Sequence, residues 1–292
     1  MASMITADDI LRTAPVPPAP DPGHVTEAFE SSHLNHAYKP FEPETLRPFA
    51  AATKDRFRSY IAERSHHVDF TGEVVGQPAS SALPSGRGYS MLNEADVRAV
   101  VNTLYLEPVW SVWMEMLPER DVRNYDWVVL NEACPLVPLP KGVSSQSVPD
   151  LVLAKRNMAS SEGKSNGTAT ITSQLPVLLM ELKGPDVVYT ARRSVHTHST
   201  TSPDWTHITK QLRKYAVLWR CRRIVLMDQR MAFFFYLQRL DLADPNYDIL
   251  WVSAEAPDPT LEQKPPEKAF TIRELMAFAA WHAQEDEPAD GC

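Results

Sequence analysis

The sequence predicts a mixed α/β fold, a central mixed sheet flanked by helices, and three observations carry that reading. Apolar runs of strand length alternate with helical periods in the order helix, three strands, helix, strand. One run, 177–183, is apolar on both faces and therefore belongs at the centre of a sheet. Residues 203–219 place Ile208, Gln211, Leu212, Tyr215, Leu218 and Trp219 at i, i+3, i+4 and i+7 spacing, the period of a helix lying on a sheet face.

Residues 1–48 hold eight of the 25 prolines, few aliphatics and no sustained period, which predicts a disordered Pro-rich arm outside the core. A helical and loop N-terminal extension, 49–89, follows. Its helix, over 47–64, is marked by Phe49, Ala52, Phe57, Tyr60 and Ile61, and its loop is a polar Gly/Ser/Pro stretch at 72–88. The main domain is expected over 90–284. Asn93, with Asp96 three residues on, caps its first helix, whose face is Val97, Val101, Leu104 and Tyr105 until Pro108 kinks or ends it. A second apolar segment spans 109–117. Strands are expected at 127–130, 151–154 and 177–183, with a polar loop at 157–173 between the last two. After the 203–219 helix come strands at 224–227 and 232–237, and a further one at 249–253. A capping-box pattern around Thr271 and Glu274 opens a terminal helix through about residue 282, before an acidic tail, 285–292.

With 43% apolar and 23% charged residues the chain has the composition of a globular protein, which excludes disorder throughout, collagen and coiled-coil rods. No apolar run approaches the ~20 residues of a membrane-spanning helix, and the first twenty residues lack the pattern of a secretory signal. Three cysteines, Cys134, Cys221 and Cys292, without C-x-x-C spacing, fit neither a disulfide framework nor a cysteine zinc site. These features predict an intracellular protein of the cytoplasm or nucleus, with no membrane partner. Charge is distributed unevenly. The segment 187–223 carries +7 within a chain of net charge -8, so the remainder carries -15. A local basic stretch in an acidic chain can attract a phosphate backbone without indiscriminate adhesion.

The chemistry-bearing residues lie on the strands and on the helix after them. Asp150 stands at the mouth of the second strand, and Glu181 and Lys183, two apart near the end of the third, point to one side of the sheet. Two carboxylates from adjacent strands make a half-open site for a hard divalent cation such as Mg²⁺, which takes oxygen ligands and keeps several waters. Lys183 is placed to orient a water or to offset charge growing on a phosphorus. Gln211 and Tyr215, at i and i+4, share one helix face.

The runs Val148-Pro149-Asp150-Leu151-Val152-Leu153 and Leu178-Leu179-Met180-Glu181-Leu182-Lys183-Gly184-Pro185 resemble the PD-(D/E)xK phosphodiesterase superfamily, whose members are mostly nucleases. Gln211-Leu212-Arg213-Lys214-Tyr215 is similar to the Q-x-x-x-Y motif of its RecB-like branch. The resemblance covers about 90–237. It implies a restriction-endonuclease-like core, a Mg²⁺-dependent nuclease activity with Mn²⁺ as a substitute, and a nucleic-acid partner, DNA ahead of RNA. It makes Asp150, Glu181 and Lys183 catalytic, and it makes Glu94, on the first helix, a third acid beside Asp150 and Glu181 at the metal. Gln211 and Tyr215 are then placed to touch the Lys183 region or a nucleic-acid backbone, and Arg213, Lys214, Arg192 and Arg193 of the basic segment are the further expected nucleic-acid contacts. The same fold can also serve as a noncatalytic nucleic-acid or protein binding module.

Simpler roles exist for each residue: a turn-capping Asp150, a surface ion pair of Glu181 with Lys183, core packing for Tyr215, and a first-turn acid at Glu94 favoured by the helix dipole. His196 and His198 lack a third ligand for zinc. Gly163-Lys164-Ser165 imitates a phosphate-binding loop without its first glycine.

Overall fold

The computed structural model describes residues 6–19, 38–65, 91, 93–116, 126–131, 148–159, 170–196, 203–240, 248–257 and 269–285. In chain order these form α1 (Ala7–Arg12), β1 (Leu46–Pro48), α2 (Ala51–Ser65), α3 (Glu94–Val101), α4 (Glu107–Met116), β2 (Asp126–Asn131), β3 (Leu151–Ala159) and β4 (Thr170–Leu182). Then follow α5 (Val187–His196), α6 (Pro203–Leu218), β5 (Arg223–Met227), β6 (Met231–Leu237), β7 (Ile249–Glu255) and α7 (Ile272–Glu285).

The seven strands form one mixed sheet in the order β1-β7-β6-β5-β4-β3-β2. Strands β2, β3 and β4 run as an antiparallel meander, and β5 lies parallel to β4. A parallel neighbour requires a crossover, which α5 and α6 supply. The expected central position of 177–183 is met: β4 has β3 on one side and β5 on the other. Its residues alternate between two apolar layers. Leu178, Met180 and Leu182 belong to a layer with α1, α2, α3, α4 and α7, while Leu179 belongs to a layer with α5 and α6.

The first helix begins as the sequence predicts. Asn93 accepts from the Asp96 N–H at 3.1 Å, and the Asp96 carboxylate accepts from the Asn93 N–H at 3.2 Å. Pro108 does not end it. The chain passes through a π turn, Asn102–Leu106, and continues as α4 with Pro108 as its second residue. Proline has no N–H to offer the preceding turn, and the carbonyl of Leu104, four residues back, accepts from buried Arg273 Nε at 2.8 Å.

Other expectations need correction. Residues 1–48 are not an arm outside the core where they are described. Ala7, Ile10 and Leu11 are buried, Thr271 Oγ1 and Arg273 Nη1 donate to the carbonyls of Leu11 and Ile10, and β1 pairs with β7. Proline is tolerated there because β1 is a three-residue edge strand. Nor is the 49–89 extension separate in its described part, since Phe57 and Ile61 of α2 enter the same core as α7. The loop expected at 157–173 is shorter, because β3 runs to Ala159 and β4 starts at Thr170. Polar residues there satisfy a ladder that continues beyond the apolar stretch. The expected polar stretch 72–88 lies outside the described residues.

Candidate active site

The last ladder pair of β3 with β4 at this end of the sheet is Leu151 with Met180. Asp150 and Glu181 are the next residues outward on each strand, so alternation sends both side chains to the face covered by α5 and α6. Asp150 and Glu181 are only 6% and 4% exposed, a burial that carboxylates tolerate only when paired or bound to an ion. One Asp150 oxygen, Oδ2, accepts from the Leu182 N–H at 2.7 Å. The other, Oδ1, accepts from Arg98 Nη2 of α3 in an ion pair.

Glu181, Lys183, Gln211 and Tyr215 form one hydrogen-bonded chain. Lys183 Nζ donates to Glu181 Oε1 at 2.6 Å and to Gln211 Oε1 at 2.9 Å. Gln211 Nε2 donates to the same Glu181 Oε1 at 2.8 Å and to the Tyr215 hydroxyl oxygen at 2.7 Å. A glutamine suits this place because its amide offers an acceptor to the ammonium and two donors to its neighbours. The i and i+4 spacing read from sequence thus puts the Q-x-x-x-Y pair against the Glu-x-Lys pair. All hydrogen bonds given to Glu181 by the described residues go to Oε1, which leaves Oε2 for a ligand.

Burial pushes the Glu181 carboxyl up to about 8, with Lys183 drawing it down and Asp150 and Glu94 adding to the rise. Burial draws Lys183 down, but Glu181, Glu94 and Asp150 outweigh it, so the ammonium is held above its ordinary value. Burial, then Glu181, raises the Tyr215 phenol, which stays protonated. Glu94 therefore acts on this site through its charge from the first turn of α3. Among the described residues no three His, Cys, Asp or Glu side chains gather as a ready-made metal-holding group, and Glu94, Asp150 and Glu181 are linked by the reach of their charges. The carboxylates of Asp150 and Glu181, on neighbouring strands, are the pair that could hold a divalent ion that keeps its waters.

The loop after Lys183 is fixed by partners that sequence reading missed. The Lys183 N–H donates to the Met227 carbonyl at 3.0 Å. Asp186 has φ 58°, a left-handed conformation that aspartate adopts more readily than most residues. Buried Gln229 clamps it from both sides, accepting from the Asp186 N–H at 3.2 Å and donating to its Oδ1 at 2.8 Å. Arg98 was also missed, although its place four residues after Glu94 puts both on one face of α3.

Among the described basic residues of this segment, Arg213 is not at the surface. Arg213 is 3% exposed, with its guanidinium 5.6 Å from the centre of the Phe41 ring. It is corrected from a phosphate contact to a buried residue, because it leaves α6 on a different face from Gln211 and Tyr215. Lys214 is half-buried, while the side chains of Arg192 and Arg193 lie outside the described residues. Arg220 and Arg222 are exposed but stand at the start of β5, and Arg223 donates to His282 Nδ1. Since β5 is parallel to β4, that end of the sheet is opposite the one that holds Glu181. His198 and the run 163–165 lie outside the described residues.

Compared with known proteins, the chain matches no family model and no curated protein. No helix among the described residues is long and apolar enough to cross a membrane.

Proposed function

We propose that the chain is a metal-dependent phosphodiesterase acting on DNA or RNA, with Asp150 and Glu181 as the metal carboxylates and Lys183 as the catalytic ammonium. The observation that carries this reading is the four-residue chain in which Gln211 bonds Lys183, Glu181 and Tyr215 together. Two sequence patterns 28 residues apart, from Lys183 to Gln211, meet at hydrogen-bond distance. A surface ion pair or a core tyrosine does not require that meeting. The order α3 and α4, β2, β3, β4, α5 and α6, β5 also follows the helix, three-strand, helix, strand order of the restriction-endonuclease-like core.

Asp150 and Glu181 would hold a Mg²⁺, which would supply positive charge to a phosphate and make a water more acidic. They present carboxylate oxygens to the ion from a rigid sheet end. Lys183 uses two of its three N–H donors on Glu181 and Gln211, and the third is available to a water or a phosphate oxygen. Gln211 keeps that ammonium aimed while Tyr215, a phenol at working pH, holds Gln211. With Glu94, Asp150, Glu181, Arg98 and Lys183 all ionised the cluster is one negative charge in excess. A divalent cation together with one phosphodiester adds one net positive charge and brings the cluster to neutrality.

The second reading, a noncatalytic binding module, is favoured by the ion pairs that Arg98 and Lys183 already make with the two acids. One experiment separates the two. The purified chain is incubated with labelled single- and double-stranded DNA and RNA in Mg²⁺, Mn²⁺ or EDTA. Cleavage in either metal and none in EDTA is expected for the enzyme. Binding without cleavage under every condition supports the module.

A further inference from the structure

We propose that Arg98 is an internal cation parked on the metal carboxylate: it holds Asp150 in the metal-free protein, is exchanged there for the divalent ion, and then turns its fork to a phosphate oxygen of the substrate. The inference rests on the proposed function and adds to it a substrate-binding residue that neither sequence pattern contains.

Three observations lead to it. Arg98 pairs with Asp150 Oδ1, while Oδ2 is fixed by the backbone N–H of Leu182. The oxygen with a rigid backbone partner is thus the one a metal leaves alone, and the oxygen facing a side-chain cation is the one it takes. Second, Arg98 is unequally placed with respect to its partner. Its side chain is 26% exposed and that of Asp150 is 9% exposed, and although Arg98 Nε is itself buried, the side chain as a whole reaches closer to solvent than the carboxylate it holds. A cation in that position can withdraw without crossing the core. Third, Arg98 lies one helical turn after Glu94 on α3, whose charge reaches Glu181 and Lys183. When Asp150 is taken by a metal, the guanidinium remains beside an acidic helix turn and the site. Its planar fork matches two oxygens of a phosphate, a geometry that an ammonium does not offer.

The test uses Mn²⁺ alone as the probe. Its dissociation constant is measured by titration calorimetry on the full chain, the Arg98→Gln variant and the Arg98→Lys variant, with circular dichroism as the check on folding. Removing the competing cation should tighten Mn²⁺ binding about tenfold in Arg98→Gln. Arg98→Lys, whose point charge holds a carboxylate less firmly than a fork, should fall between the two. Under Mg²⁺, KM for a labelled oligonucleotide should rise in Arg98→Gln and recover in part in Arg98→Lys. Tighter binding by Arg98→Gln, or binding by that variant where the wild type binds none, supports the inference. If Arg98→Gln does not fold, Arg98→Lys decides by the same criterion. Equal or weaker Mn²⁺ binding by a folded variant, with the wild type binding normally, overturns it alone and makes Arg98 a support that aims Asp150. Mn²⁺ bound by none of the three overturns it together with the proposed function.

Discussion

Alternate residues of β4 live in opposite environments. On one face Met180 and Leu182 enter the layer under α7, where Phe278 lies 5.2 Å from Phe49, 5.4 Å from Phe57, 5.3 Å from Phe270 and 5.8 Å from Phe234, ring centre to ring centre. On the other face Glu181 is enclosed with Lys183, Gln211 and Tyr215 at 2.6 to 2.9 Å. The aromatic face gains from burial, since each ring removes apolar area from water and adds edge-to-face contacts. The polar face pays desolvation that a buried ion pair at best repays. One strand therefore anchors a stabilising layer and carries a costly cluster one residue away, and the cluster keeps its shape because the layer beneath it is rigid.

The largest change expected from breaking this arrangement is on the aromatic side. Phe278→Ala should lower the unfolding free energy by about 3–5 kcal/mol in a denaturant titration, because the rings of Phe49, Phe57, Phe234 and Phe270 close around it. Arg213→Ala comes next, with a loss of about 1–3 kcal/mol from the removed stem and its contact with Phe41. The same variant should leave the slope of log affinity against log salt for nucleic acid unchanged. A flattened slope would put Arg213 back among the phosphate contacts.

On the polar side the expected effect is smaller and has a defined pH window. The folded Glu181 carboxyl titrates near 8, raised by burial, and an unfolded glutamate near 4.5. Its contribution to stability is therefore complete below about 4.5 and is lost as pH rises toward 8. Asp228, pushed up to about 7 by burial against three backbone N–H donors, works in the same direction. In EDTA the melting temperature should fall between pH 5 and 8. Glu181→Gln should make that fall shallower, and an equally steep fall in the variant would show that Glu181 is not held at so high a pKa. Gln211→Leu should change stability least, by about 1 kcal/mol, since it breaks hydrogen bonds but adds an apolar side chain.

What the sequence disclosed follows from period. A two-residue repeat is enough to put Asp150, Glu181 and Lys183 on one side of a sheet end, and a four-residue spacing is enough to pair Gln211 with Tyr215. The strands, α6 and the caps of α3 and α7 were legible for the same reason. Elements defined by distant partners were not. α1 and β1 are short pieces in a proline-rich stretch, and they are ordered by Arg273, Thr271 and β7, more than 200 residues away. In the sequence, the residues of α5 stand out only as part of a charged segment. Arg213 reads as a surface cation until Phe41 covers it, and Arg98 reads as an ordinary helix residue until the fold brings Asp150 to it. Charge in a sequence gives an amount, and only the tertiary partners give it a direction.

The most direct measurement compares Glu181→Gln with the wild type for metal-dependent cleavage of a labelled nucleic acid, alongside the melting temperature of each in EDTA. The site described here predicts a variant that folds with an equal or higher melting temperature and whose cleavage in Mg²⁺ falls by about 10³ or more, a loss on the scale of removing a metal's charge from the transition state. Undiminished cleavage by the folded variant would contradict it, because the activity would then come from residues other than the cluster at the end of β4.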